Sequence, residues 1–205
     1  MNTGPDEPDN NPYQAPQAVV ADAGDAALLY VVSPFKFWLL GIATMGLYLV
    51  YWYYKHWSLL NRLHKAYWPV PRAIFSVFFT HALFNEIDGL LQRARIAHRW
   101  APRMWATTYV IAALGSGVVG RAPAELLPPV TAQLFLFALM VPMLWSTYEA
   151  QRAANAAEGD PDGSSNRSLT AANVIWIVIG ALWWSVILLG MYVLLVGGGH
   201  IRVKN

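Results

Sequence analysis

Five histidines, His56, His64, His81, His98 and His200, are the first places to look for chemistry in this sequence. None stands in an H-E-x-x-H or other close metal-binding spacing. His81, Glu86 and Asp88 form one cluster of possible ligands. On a helix those offsets do not converge on a single point, so the cluster reads as a polar helix face. Ser33, Ser76, Ser116, Ser146 and Ser185 lack a G-x-S-x-G setting and an acid–base pair beside them. Ser146 and Thr147 read instead as hydroxyls bonding back to helix carbonyls. Gly115-Ser116-Gly117-Val118-Val119-Gly120 spells G-x-G-x-x-G. That motif binds dinucleotides only between a strand and a helix, and this one lies inside an apolar block. Its small residues point to close helix packing, with Ala112, Ser116 and Gly120 on one face and Ala113 and Gly117 on another. The acidic run from Glu158 to Ser165 lacks the ligand ladder and closing glutamate of a calcium loop. No catalytic, cofactor-binding or metal-ligating residue is expected, and the chain reads as non-enzymatic.

Composition says where these residues must sit. Of the 205 residues, 56% are hydrophobic and 13% charged, whereas soluble domains run near a quarter charged. The net charge of +2 is too balanced to suggest nucleic-acid binding. With no cysteine there are no disulfides, thiolate metal sites or cysteine nucleophiles. The apolar residues fall in long uncharged blocks, and a helix crossing a bilayer needs about 20 of them. Residues 37–54, 104–120, 126–148 and 174–196 each qualify. The expected fold is all-α: a polytopic membrane protein with four transmembrane helices. Together with an amphipathic interfacial or re-entrant helix over about 72–99, they make a helical membrane domain over 31–200. That additional helix has apolar residues at Ile74, Phe75, Phe78, Ala82, Ile87, Leu90 and Leu91, a helical stripe suited to lying in the membrane plane. Trp and Tyr at the block edges, Trp52, Tyr53, Tyr54, Trp57, Trp100 and Trp105, suit the headgroup level. Trp183 and Trp184 lie mid-block and are expected to face another helix.

The polar segments set orientation. Residues 1–30 form a Pro-rich acidic tail expected to be disordered, without the basic-then-apolar order of a signal peptide. Residues 151–168 are expected to be a flexible polar loop. Between Lys55 and Arg103 stand eight Lys or Arg against Glu86 and Asp88 alone. Basic loops stay cytoplasmic, which places the tail outside, the 151–168 loop inside and the C-terminus outside. Arg93, Arg95, Arg99 and Arg103, with Trp100 as an anchor, are candidate contacts for anionic lipid. Gly41 and Gly46 thin the first block and are candidate helix-packing positions alongside Ala112, Ser116 and Gly120. Pro142 is expected to kink the third block. The four blocks hold no Asp, Glu, Lys, Arg or His, which weakens a proton-coupled transport reading.

The motifs Ser33-Pro34-Phe35-Lys36, Gly46-Leu47-Tyr48 and Tyr51-Trp52-Tyr53-Tyr54-Lys55 are followed by Pro69-Val70-Pro71-Arg72-Ala73-Ile74-Phe75. Over residues 32–90 they resemble an uncharacterised family of small bacterial multi-pass membrane proteins. The leader Asn11-Pro12-Tyr13-Gln14-Ala15-Pro16 is similar to that of several bacterial membrane proteins of unknown role. The resemblance implies a bacterial inner membrane and lends no catalytic residue. The expected role is an accessory, scaffold or assembly subunit acting through helix packing on a membrane-protein partner or a second copy. The alternatives are a small transporter or channel, and an immunity or stress-response protein.

Overall fold

The computed structural model describes residues 27–201, which are all-helical with no strand among them. Of the expected acidic tail, residues 1–26 therefore lie outside the described residues. Seven α-helices follow an extended entry: α1 (Pro34–Ala43), α2 (Leu47–His64), α3 (Pro69–Ile74), α4 (Ser76–Arg93), α5 (Pro102–Val119), α6 (Pro129–Ala157) and α7 (Ala171–Ile201), with a 3₁₀ turn at Ser164–Asn166 before the last. Four of them, α1, α3, α5 and α6, open on proline. Its missing N–H costs nothing in the first turn and its φ is already helical.

The first apolar block does not make one span. It breaks after Ala43, where Met45 N–H donates to Ile42 O at 3.0 Å and Gly46 N–H to Gly41 O at 2.8 Å. This is a Schellman stop, with Met45 at φ 51° and Gly46 at φ 84°. Thr44 then joins the two helices: its Oγ1 donates to Leu40 O at 2.8 Å and accepts from Tyr48 N at 2.9 Å. The chain turns back. Phe37 and Tyr48, eleven residues apart, have ring centroids 5.9 Å apart, and Tyr30 reaches Tyr51 at 6.0 Å. Continuous helix would separate Phe37 from Tyr48 by about 16 Å. The expected span 37–54 is thus a helical hairpin, because its absence of charge concealed a backbone stop.

The second expected element also divides. Residues 69–93 kink at Phe75 (φ −96°, ψ 38°) and end at Arg93. Arg95 N–H donates to Gln92 O and Ile96 N–H to Leu91 O, with Arg95 at φ 55°, so the helix does not continue to residue 99. The α4 stripe Thr80, Leu83, Phe84, Ile87 and Leu91 is buried. It is spent on α5 and α6, not left free for a membrane surface. Ser76–Tyr109 at 2.9 Å and Asp88–Trp100 at 2.9 Å run α4 antiparallel to α5. Phe75 and Phe78, at the kink, stay exposed.

Helices α5 and α6 form the principal hairpin of the bundle. Gly115 faces Leu139 there, and Ser116 Oγ lies 3.9 Å from Met143 Sδ. The expected block 126–148 starts later and runs further, through Ala157. Residues 151–157 of the expected loop are its last helical turns, because Gln151, Ala153, Ala154 and Asn155 are buried. Pro142 lies inside α6, where Ser146 Oγ takes up its carbonyl at 2.6 Å and Thr147 that of Met143 at 2.8 Å.

Helix α7 leans on α1 and α6 through a narrow seam. A Cβ on Gly180 would strike the Ala43 carbonyl. Trp184 Nε1 donates to Ile42 O at 2.9 Å, a second bond on the carbonyl that Met45 N–H also uses, and its ring stacks on Phe137 at 5.0 Å. Trp183, by contrast, is exposed. Among the described residues two helices are long and apolar enough to cross a membrane, α6 and α7 over Ala171–Val196. Gly190 has open space around it. Gly180→Leu is therefore expected to lower stability by ~1–3 kcal/mol and Gly190→Leu to leave it unchanged. Thermal unfolding in detergent checks this, and equal melting of the two variants would contradict the seam.

Candidate functional site

The largest concentration of buried polar groups lies where the extended entry segment meets the end of α6. Residues 28–33 have neither helix nor strand to satisfy their backbone, and enclosed N–H and C=O groups must find partners. Side chains supply them. Glu158 Oε1 accepts from Leu28 N at 3.0 Å and Leu29 N at 2.8 Å. Gln151 Nε2 donates to Tyr30 O at 2.8 Å, and Asn166 Nδ2 to Val31 O at 2.8 Å. Asn155 holds Val32 from both sides, accepting its N–H at 3.2 Å and donating to its carbonyl at 2.9 Å. Gln151 Nε2 also donates to Asn155 Oδ1 at 2.6 Å, and Trp52 Nε1 donates to Gln151 Oε1. Gly163, at φ 63°, brings the following loop against Val32, where a Cβ would strike the carbonyl.

His56 lies beneath this clasp, fully buried. Its Nδ1 accepts from Tyr30 N at 3.5 Å, and its ring packs 4.1 Å from that of Trp52. The remaining nitrogen, Nε2, is enclosed with no partner. Burial pushes its pKa down to about 3, only partly offset by the nearby Gln151 amide, so the ring is neutral at ordinary pH. Lys36 is also buried, its Nζ donating to Asn166 Oδ1 at 2.7 Å and Ser168 O at 2.9 Å. Arg72 lies among three rings, 4.4 Å from Trp57, 4.5 Å from Tyr67 and 4.8 Å from Phe79. Such stacking holds a guanidinium within a largely apolar wall.

The candidates from the sequence go to separate places. His81 Nε2 meets Thr107 Oγ1 at 3.1 Å, Glu86 takes the Tyr67 hydroxyl at 2.8 Å, and Asp88 accepts from Gln92 and Trp100. No group of three potential metal ligands gathers among the described residues. Asp160 is engaged in capping the 3₁₀ turn, and the Ser165 and Ser164 bonds hold its carboxyl well below the usual range. Arg93, Arg95, Arg99 and Arg103 are all exposed around the α4–α5 connection. Arg93 lies 3.9 Å from Glu86. Trp100 is not a free membrane anchor, since it packs on Phe84 and gives its N–H to Asp88.

Among the packing positions, Gly41 lies close to α6, where an added Cβ would be 2.8 Å from Leu144 Cδ2. Gly46 has no neighbour within 4 Å and serves the turn through its positive φ. Ala112 is buried, Ser116 half-buried with its hydroxyl on Ala112 O, and Gly120 exposed at the end of α5. The serines likewise serve structure. Ser33 Oγ caps α1 through Lys36 N at 3.4 Å, Ser76 pairs with Tyr109, and Ser185 bonds back to Ala181 O. Sequence singles out none of Gln151, Asn155 and Asn166, and Glu158 only as the start of an acidic run. Their one signal was the i,i+4 pair Gln151/Asn155 among buried alanines.

The chain matches no known family model, curated protein or solved structure. What the site does is therefore read from its own geometry. It holds a chain entry closed, with its donors and acceptors turned on one another.

Two outcomes follow. Asn155→Leu strips Val32 of both partners and is expected to cost ~1–3 kcal/mol. Proteolysis near residue 30 should then quicken in detergent-solubilised protein. The neutral burial of His56 adds stability at pH 7 that is lost as pH falls. Its folded pKa is depressed, so the unfolded chain binds a proton first. Stability is expected to fall by about 1.4 kcal/mol per pH unit below pH ~6.5. His56→Gln should flatten that slope in denaturant titrations.

Proposed function

We propose that this chain is a non-enzymatic membrane protein of the bacterial inner membrane, an accessory, scaffold or assembly subunit acting through helix packing. The observation that carries this reading is α7. Within its 26-residue apolar segment the most apolar 18-residue stretch has a mean hydropathy of 2.3, yet only 6% of that stretch is buried. At 1.5 Å per residue it rises ~39 Å, more than a ~30 Å hydrocarbon core. In water so much bare apolar surface would be costly, whereas lipid or a partner helix accepts it. The outward residues Ile175, Val178, Ile179, Leu182, Val186 and Leu189 offer that surface along most of the helix. The hydroxyls of Ser116, Ser146, Thr147 and Ser185 are tied to carbonyls of their own helices and that of Ser76 to Tyr109, which supports a packing role for them.

The arrangement favoured is three crossings: α6 and α7, each long and apolar enough to span alone, and the shorter α5, carried across as the paired neighbour of α6, with the α1–α2 hairpin entering and leaving on one side. Residues 28–33 touch Asn155, Glu158 and Asn166, so the chain entry and the 158–166 loop share an end. An outside N-terminus with an inside loop conflicts with that contact. The basic residues then place both in the cytoplasm and the end of α7 outside. Arg95, Arg99 and Arg103 are proposed to meet anionic lipid at that cytoplasmic face.

Reporter fusions test the arrangement. A cytoplasmic N-terminus, a cytoplasmic 158–166 loop and a periplasmic C-terminus are expected. A periplasmic N-terminus with a cytoplasmic loop would overturn the hairpin. In-cell crosslinking with mass spectrometry, after purification in mild detergent, tests the role. A partner in near-equal amount, or a defined homo-oligomer, is expected. A lone protein that passes solute in proteoliposomes would replace this reading with a channel or transporter.

A further inference from the structure

A cleft of about 580 Å³ separates α2 and α3 from the start of α7. Helix α7 rests on α1 and α6, so nothing from α2 closes the gap. Leu40 and Leu47 lie at the hairpin end, Val50, Ile74 and Trp176 form the walls, and Tyr54 lies at the opposite end. Val50, Ile74 and Trp176 are exposed. The cleft thus opens onto the same apolar surface that α7 presents. Its size is that of a site for a small organic molecule.

Its two ends differ chemically. At the hairpin end the lining is aliphatic apart from Thr44, whose hydroxyl is already used twice. At the other end comes Lys55, about 12 Å further along α2 than Leu47. Its Nζ is 5.8 Å from the Tyr30 ring and 6.0 Å from that of Tyr51, which also lines the cleft. Among the described residues the carboxylate ion pairs are those of Arg93 and Arg152, and Lys55 has none. Tyr48 lies between the two ends and is largely buried. Its hydroxyl is near enough to Tyr30 for an electrostatic interaction, but the pair falls short of hydrogen-bond geometry. A long apolar slot with an uncompensated cation at one mouth is complementary to a molecule with an apolar tail and an anionic head.

We propose that the cleft between α2 and α7 binds one acyl chain of an anionic bilayer phospholipid, with the phosphate of its headgroup at Lys55. This rests on the membrane reading above and adds a defined site to it. The site is separate from the exposed arginines of the α4–α5 connection, which meet lipid only at the surface. The lipid completes the wall that α2 leaves unmade and joins the hairpin to α7. Lys55 lies at the cytoplasmic end, where headgroups are. The hairpin tip lies deeper, where chains are, so the cleft and a lipid share one direction.

Native mass spectrometry of the full chain in mild detergent, titrated with phosphatidylglycerol, phosphatidylethanolamine and diacylglycerol, tests the proposal. One phosphatidylglycerol is expected to bind at least about tenfold more tightly than the other two (~1.4 kcal/mol). Val50→Trp and Ile74→Trp each fill the slot from an exposed position, and either should abolish the tight binding while the helix content by circular dichroism is kept. Lys55→Gln should equalise phosphatidylglycerol and phosphatidylethanolamine while leaving the chain contact. Wild-type affinity in both tryptophan variants would overturn the cleft. Equal binding of the three lipids by the wild type would overturn the headgroup assignment. Alkaline carbonate extraction separates the two levels. Release of the chain from membranes sinks the membrane reading itself, whereas retention without lipid selectivity sinks this proposal alone.

Discussion

The bundle depends on satisfying one short run of backbone. Residues 28–33 enter it as extended chain, with no ladder of their own, into a place closed to water. A buried amide left without a partner costs as much as several ordinary contacts contribute. Asn155 meets this demand most completely, presenting one donor and one acceptor to the two sides of Val32. Gln151, Glu158 and Asn166 complete the set from the same end of α6 and its following loop. Once the entry is fixed there, α1 must start beside Asn166 and α2 must return past Gln151. The hairpin, and through it the seam with α7, takes its position from that clasp.

The other enclosed polar groups follow the same rule with less complete partners. Thr44 serves two helices with one hydroxyl, closing the end of α1 and opening α2. Trp184 adds an indole N–H to a carbonyl that the helix stop already uses. His56, Trp57 and His98 each keep a ring nitrogen enclosed without a partner. The His56 nitrogen lies against Trp52 and that of Trp57 beside Tyr67, where shape and not pairing decides the fit.

Much of the helical content was legible in the sequence, because uncharged blocks are what helices in apolar surroundings require. The α5 and α7 blocks fell close to their helices, Pro102–Val119 and Ala171–Ile201. What the blocks hid was direction. A stretch without charge from residue 37 to 54 says that water is excluded, not that the chain runs straight through. The reversal depends on φ values at Met45 and Gly46, and Gly46 was visible only as a small residue. Met45 gave no signal, since non-glycine residues seldom take that conformation. The clasp escaped for the opposite reason. Gln151 and Asn155 looked like the start of a solvated loop because polarity was equated with exposure. Their partners lie some 120 residues away, a distance at which local pattern carries no information. Arg95 was similar: its place in a row of cations was plain, but its service in a helix stop was not.

That distance in sequence also orders events in time. The entry segment and the α1–α2 hairpin leave the ribosome first, yet Val32 cannot be held until Asn155, 123 residues later, has been made. At about 5–20 residues per second, the interval is roughly 6–25 s. Throughout it the amides of Leu28, Leu29 and Val32 lack their ligands, whereas Tyr30 can already meet His56. A newborn hairpin in that condition must keep its backbone in water or at the lipid headgroups, or be covered by another protein. The last contacts to form in this molecule are those that secure its first helix.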